Sequence, residues 1–405
     1  MPDNALLGQI VLGYSPIIDR DRAIMATRLT VFPERRDTQP SAQALLEAVQ
    51  GIWPPDGEAV AATPRPVSLN IASESLLDAV LTLRPPPHIM IELPAFMAAD
   101  TGRLPALQAL AEAGSTLLVK GRPVTELPRD VLPCFKHSII DIGEDRRMAA
   151  SAPPQGVVRT ITHVQAGVRS RADVDDAFAR GAVAVLGWPL DDVPQATQGS
   201  RSPPADLQVV MELIKRVDAE EPVERIEAVL TRDPSLAFRL LRYINSAAMG
   251  LAVEINSFRH ALMLLGYKKL KRWLALLLSS ASKDPAARPI MFAAVRRGVL
   301  MEELARANQD TEMGAEMFIC GVFSLLDRTL QQPFDELFES VPVPERVRQA
   351  LVEQAGPFQP YLELASALEQ SARSEIVDAA ERAFLGMAEV NAALLRTLSV
   401  ARELD

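Results

Sequence analysis

His88-Ile-Met-Ile-Glu-Leu93 and Thr116-Leu-Leu-Val-Lys120, separated by the helical stretch Arg103–Ala113 and its closing Gly114, decide how the first half of the chain reads. Both runs are short and apolar, as expected for strands covered on both faces, and Gly114 ends the intervening helix as a C-cap residue does. Working outward, the same alternation recurs. Candidate strands are Ile10–Tyr14, Ile24–Phe32, Pro66–Ile71, His137–Ile142, Val157–His163 and Ala182–Gly187, and candidate helices are Ser41–Trp53, Ser73–Leu83 and Ala172–Arg180. Eight strands interleaved with helices over residues 1–193 predict a compact (β/α) barrel. In such a barrel the chemistry-bearing side chains stand at the C-terminal ends of the strands, and those positions hold Asn70, Glu92, Lys120, Asp141, His163 and Leu186.

Residues 194–204, polar and rich in Pro with a Gly, read as a linker. Beyond it the strand pattern stops. Leu207, Val210, Met211, Ile214 and Val217 recur at helical spacing, and Asp233-Pro234 pairs an N-cap with a proline at the first helical position. Helical stretches follow at Ser235–Met249, Phe258–Leu265 (ended by Gly266), Tyr267–Ser282, Ile290–Ala307, Met313–Leu330, Pro344–Ala355, Tyr361–Ala372 and Glu375–Leu385. Residues 205–405 are therefore expected to form an all-α domain, and the fold class is α/β followed by all-α.

The bulk properties narrow the function. The chain has 405 residues, 48 % of them hydrophobic and 23 % charged, enough for two domains with a core each. No apolar run reaches the ~20 residues that span a bilayer, and the Met-Pro-Asp-Asn start has no basic leader, so a cytoplasmic location with no membrane partner is expected. The net charge of −10 is shared evenly between the halves, against a general nucleic-acid binder. Cys134 and Cys320 lie far apart and read as small buried hydrophobes. The basic run Lys268, Lys269, Lys271 and Arg272 reads first as a solvated helix face.

The first half resembles the bacterial EAL domain, the cyclic di-GMP phosphodiesterase barrel. The resemblance rests on Tyr14-Ser-Pro-Ile-Ile-Asp19, Val67-Ser-Leu-Asn-Ile71, Ile91-Glu-Leu-Pro94, Leu107–Gly114 with Thr116–Lys120, and Val168–Ala182 with Leu186-Gly-Trp-Pro-Leu190, in order along the chain. It implies a site at which the signature Glu-Ala-Leu falls on Arg28-Leu29-Thr30 and the paired aspartates on Lys120 and Gly121. The catalytic lysine falls on Ile140, the late glutamates on Ala166 and Arg169, and the final Gln on Leu186. Asn70, Glu92 and Asp141 remain. Hydrolysis in that family uses two divalent cations, and Mg²⁺ wants carboxylate and water oxygens, so cations at Arg28, Lys120 and Arg169 reverse the field it needs. Two fates stay open for the remnants: Glu92 and Asp141 pair with Lys120 or Arg28, or the site is a metal-free anion site that still holds a nucleotide.

The second half resembles the HDOD domain, an HD-related output module of bacterial signalling proteins. The matching residues are Asp233–Gly250, Ile255–Gly266, Leu270–Leu274 and Phe318–Asp327. The His-Asp pair of an HD hydrolase would fall at Ser324-Leu325, and His260 is the one histidine after residue 203, which cannot make that metal site. The expectation is thus a degenerate EAL barrel fused to an HDOD domain, with no working active site and no cofactor. Such a protein would act by binding signalling proteins through the HDOD domain, with the barrel as a second surface. A nucleotide sensor and a residual phosphodiesterase are the alternatives; oligomeric state is left open by the sequence.

Overall fold

The computed structural model describes residues 4–35, 38–52, 66–124, 126–145, 161–192, 205–230, 258–279, 284–306 and 311–401. It divides into two compact units: Met1–Asp192 with Ser366–Leu395, and Val193–Ala365 with Arg396–Asp405. The expected division at 194–204 is corrected in one respect, because residues 366–395 pack with the barrel rather than with the helical unit. The Glu369 carbonyl and the Arg373 and Asn391 side chains hydrogen-bond to groups within residues 7–34.

The first unit is a closed barrel of eight strands in sequence order. These are β1 (Ile10–Ile18), β2 (Ile24–Pro33), β3 (Val67–Ile71), β4 (Ile89–Pro94), β5 (Thr116–Lys120), β6 (Phe135–Asp141), β7 (Thr162–Ala166) and β8 (Ala184–Leu186). Strands β2 to β8 run parallel, whereas β1 is antiparallel to both β2 and β8. The reason is local. Only Asp19–Ala23 joins β1 to β2, and a connection that short makes a hairpin rather than a crossover. Asp19 builds the turn, its Oδ1 accepting from the amides of Asp21 and Ala23, each at 2.9 Å.

Helices cover the outside. In chain order they are α1 (Asn4–Leu7), α2 (Ala42–Ile52), α3 (Glu74–Thr82), α4 (Ala95–Ala98), α5 (Leu104–Glu112) and α6 (Arg171–Ala179). Ser73 caps α3, and Ser170 with Asp173 forms a reciprocal capping box on α6. One strand moves from its expected place. Val157–His163 was expected as the seventh strand; β7 occupies Thr162–Ala166, and residues 157–160 lie outside the described residues. His163 therefore stands near the start of β7, opposite Ser138, and is buried at the wrong end for the mouth. The register against β6, from Thr162 opposite His137 to Ala166 opposite Asp141, carries the strand beyond its expected end at His163.

The second unit is helical among its described residues: α7 (Ala205–Asp218), α8 (Val223–Leu230), α9 (Phe258–Ser279), α10 (Arg288–Arg306), α11 (Thr311–Phe323), α12 (Leu326–Leu330), α13 (Phe334–Ser340) and α14 (Glu345–Leu351). Helix α15 (Gln359–Gln370) follows, and α16 (Arg373–Arg382) and α17 (Met387–Ala401) end the chain. α9 breaks at Gly266, whose φ of 65° is the left-handed conformation that glycine tolerates, as its reading as a stop residue requires. The expected helix Ser235–Met249 and its Asp233-Pro234 start lie outside the described residues. The core gathers Val210, Ile214, Trp273, Leu274, Leu278, Phe318 and Val322. Helices α10 and α11 approach closely where Gly321 faces α10: a Cβ there would lie 2.5 Å from the carbonyl oxygen of Arg297.

Candidate functional site

Strand alternation sends every second side chain into the barrel. Part of the interior is apolar, formed by Ile17, Ala26, Met90, Leu118, Ile139, Val164, Ala166, Ala184 and Leu186. Toward the C-terminal ends of β2 to β5 the same faces carry Arg28, Thr30, Ser68, Asn70, Glu92 and Lys120. Arg28 lies opposite Ser68 in the β2–β3 register, and Thr30 lies opposite Asn70.

These residues form two connected hydrogen-bonded groups. Arg28 grips Glu92 with two bonds, Nε to Oε1 at 2.8 Å and Nη2 to Oε2 at 2.5 Å. Ser68 Oγ donates to the same Oε1 at 2.9 Å. Glu92 has 0 % of its side chain exposed and Arg28 16 %, so this is a buried bidentate ion pair whose carboxylate is fully engaged. In the second group, Lys120 Nζ donates to Asn70 Oδ1 at 2.5 Å and Asn70 Nδ2 donates to Thr30 Oγ1 at 3.3 Å. Burial pulls the Lys120 pKa below the ordinary lysine value; Glu92 opposes that shift and Arg28 adds to it.

The other expected positions are elsewhere. Asp141, exposed at the end of β6, uses Oδ1 to accept from the Gly143 amide at 2.9 Å. Gly167 leaves room for it, since a Cβ there would lie 2.5 Å from Asp141 Oδ2. Arg169 is exposed, and its backbone amide is held by Asp173 at 2.9 Å. The pairing expected for the remnant carboxylates thus takes one form, Arg28 with Glu92, while Asp141 serves its own loop. Two participants were missed by the sequence reading: Ser68, two residues before Asn70 on the same face, and Thr30. An open cavity of about 630 Å³ lies between the loops after β5 and β6, lined by Arg122, Pro123, Val124, Ile142, Gly143, Glu144 and Asp145.

The donor set does not fit a pair of divalent cations. Both oxygens of Glu92 are engaged and two cationic side chains share its surroundings, so a metal would have to displace Arg28 and sit beside like charge. Among the described residues no group of three or more His, Cys, Asp or Glu side chains is arranged to hold a metal ion.

In the helical unit, Ser324-Leu325 falls at the break between α11 and α12, both residues being buried. Ser324 Oγ donates to the Gly321 carbonyl at 2.7 Å and accepts from Arg297 Nη1 at 3.2 Å. Asp327, two residues on, is buried, and burial raises its pKa against the opposing pull of Arg328. The basic run on α9 is partly paired: Lys271 with Asp218 at 2.6 Å, and Arg272 with Glu302 while stacked 3.9 Å over the Phe318 ring. Cys134 and Cys320 are buried thiols, and burial pushes Cys320 up to about 12.

Residues 204–329 match the family model of the HDOD domain. The chain carries an HDOD domain. The match ends at 329, short of the expected end at 405. Ser324, Arg297 and Asp327 therefore lie within the HDOD segment. The chain is also similar to YuxH of Bacillus subtilis, an uncharacterized protein, at 30 % identity over 164 residues, 40 % of each chain. It is similar to the cyclic di-GMP phosphodiesterase CdgJ of Vibrio cholerae at 28 % identity over 164 residues, 40 % of this chain and 38 % of CdgJ. Each match spans about two fifths of the relative's own length. Among solved structures, the PaMucR phosphodiesterase in complex with cyclic di-GMP aligns at a TM-score of 0.35 and 18 % identity, covering 45 % of this chain and 91 % of that one. No single helix among the described residues is long and apolar enough to cross a membrane.

Proposed function

We propose that this is a non-catalytic signalling protein that acts through protein–protein contacts, in regulation linked to cyclic di-GMP. The observation that carries this reading is the Arg28–Glu92 pair. The carboxylate that a metal-dependent barrel would spend on a cation is spent on a guanidinium instead, in a buried setting that makes the pair costly to open. The similarity to CdgJ supports the cyclic di-GMP connection, and the HDOD domain supports an output role.

The test is turnover. Purified full-length chain with cyclic di-GMP and Mg²⁺ or Mn²⁺ is expected to hydrolyse no faster than its Glu92→Ala variant. Turnover that Glu92→Ala abolishes would overturn the reading. Affinity purification of the full chain from its native cell is expected to retain protein partners, and recovery of none would count against the adaptor role.

A second reading, a metal-free nucleotide sensor, is favoured by Lys120: a half-buried cation at the mouth whose hydrogen-bond partner is a neutral amide. Calorimetry with cyclic di-GMP separates the two. A micromolar heat signal lost in Lys120→Ala would favour the sensor; a flat titration favours the adaptor.

A further inference from the structure

Strand β1 has nine residues and β8 has three, so β8 pairs with β1 only at Ile17 and Ile18. An unpaired strand edge inside a folded unit needs other partners. Along β1 they arrive in order. The Gly187 amide donates to the Pro16 carbonyl at 3.2 Å, and the Trp188 indole Nε1 donates to the Tyr14 carbonyl at 3.3 Å. Asn391, on α17 and 0 % exposed, then completes the edge. Its Oδ1 accepts from the Leu12 amide at 3.1 Å, and its Nδ2 donates to the carbonyls of Ile10 at 2.7 Å and Leu7 at 2.8 Å.

The same segment covers the inner face of β1. In the β1–β2 register, Ser15 lies opposite Arg28 and Gly13 opposite Thr30, so these four positions share one face of the hairpin. Ser15 Oγ donates to the Glu369 carbonyl at 3.4 Å. Gly13 has no side chain where Ser371 sits: a Cβ there would lie 2.6 Å from Ser371 Oγ and 2.8 Å from its Cα. Arg373 then reaches the end of β2, donating from Nε to the Pro33 carbonyl at 3.1 Å and from Nη2 to the Glu34 carbonyl. All nine residues of β1 are buried as a result.

We propose that residues 366–395 are a built-in occupant of the barrel mouth: they seat on the β1 wall beside Arg28 and Thr30, complete its open edge, and close that wall to any ligand or partner until they leave. The occupant is a segment of this chain, and the fit is made by three features, namely the missing side chain at Gly13, the Ser15 hydroxyl and the buried Asn391 amide. Residues 1–192 close the barrel by themselves, and without the segment the β1 edge keeps only its two pairs with β8 and the Gly187 and Trp188 bonds. A partner that competes for the β1 wall must displace the segment, which makes its release a natural control point.

The first experiment is Gly13→Val in the full-length chain, whose added side chain takes the space of Ser371. Proteolytic cleavage within residues 366–395 is expected to become at least about tenfold faster than in the native chain. Unchanged cleavage in a folded Gly13→Val chain overturns the proposal. The second measurement avoids crowding at Gly13. In Asn391→Leu, hydrogen exchange at the Leu12 amide is expected to speed up by about tenfold, the size of one lost buried hydrogen bond, with exchange in α10 and α11 unchanged. Unaltered Leu12 exchange in Asn391→Leu overturns it as well, whatever becomes of the Gly13→Val variant.

Discussion

The barrel mouth and the break between α11 and α12 both bury polar groups, and they satisfy them by different means. In the barrel a charged group faces inward: Glu92 is buried, and Arg28 neutralises it with a bidentate grip. In the helical unit Ser324-Leu325 is buried, with Arg297 donating to a hydroxyl rather than to a carboxylate. A buried ion pair is stable only while both members are present, whereas a neutral serine can be lost at the cost of one hydrogen bond. The comparison teaches that a buried charge pair and a buried neutral hydroxyl make unequal demands on their partners. The barrel remains a place where single substitutions have large consequences.

The largest expected effect tests that claim directly. Arg28→Met leaves Glu92 buried without its cation and is expected to destabilise the barrel unit by about 3–5 kcal/mol in urea unfolding, with Arg28→Met/Glu92→Leu substantially milder than Arg28→Met alone. If the double variant is as unstable as the single, the pair is not the source of the cost. Next in size is Gly321→Ala, which forces a methyl against the Arg297 carbonyl oxygen and is expected to cost the helical unit about 1–3 kcal/mol by thermal melting.

A pH series sharpens the contrast further. The folded pKa of Lys120 lies below the ordinary lysine value, so between the two values the unfolded chain binds more protons and native stability rises with pH. Lys120→Met removes that dependence. Its stability relative to the native chain is expected to be most favourable near neutrality and to fall as the pH climbs through the folded lysine's pKa toward the ordinary one, read from urea midpoints. A constant difference across that range would show that Lys120 is not held in a desolvated site. The smallest expected effect is Ser324→Ala, about 1 kcal/mol for the lost Arg297 and Gly321 contacts, by the same measurement. A loss as large as that of Arg28→Met would erase the distinction between the two sites.

Much of this was legible before folding. Alternating short apolar runs and capped helices fix the barrel strands because strand and helix periods are local properties, and Gly266 marks its helix break for the same reason. Arg28, Glu92 and Lys120 could be read as candidate partners for one another. Other features could not. His163 reads as a strand end because several β-branched residues precede it, yet β7 runs on to Ala166 and His163 is a buried residue near its start. Asp141 looks like a partner for Lys120 by residue type, but its own loop takes it first.

By itself, then, the sequence determined the fold class of each half and placed two cations and a carboxylate, Arg28, Lys120 and Glu92, on the barrel strands. Only the tertiary structure decided which cation meets Glu92, that Ser68 supports it, and that residues 366–395 return to finish β1. The reason is range. Periodicity and charge are carried within a few neighbouring residues, but the contacts of Asn391 with Leu7, Ile10 and Leu12 join parts of the chain more than 370 residues apart, at separations of 384, 381 and 379. Those pairings exist only because a barrel with a three-residue last strand leaves an edge that something must fill.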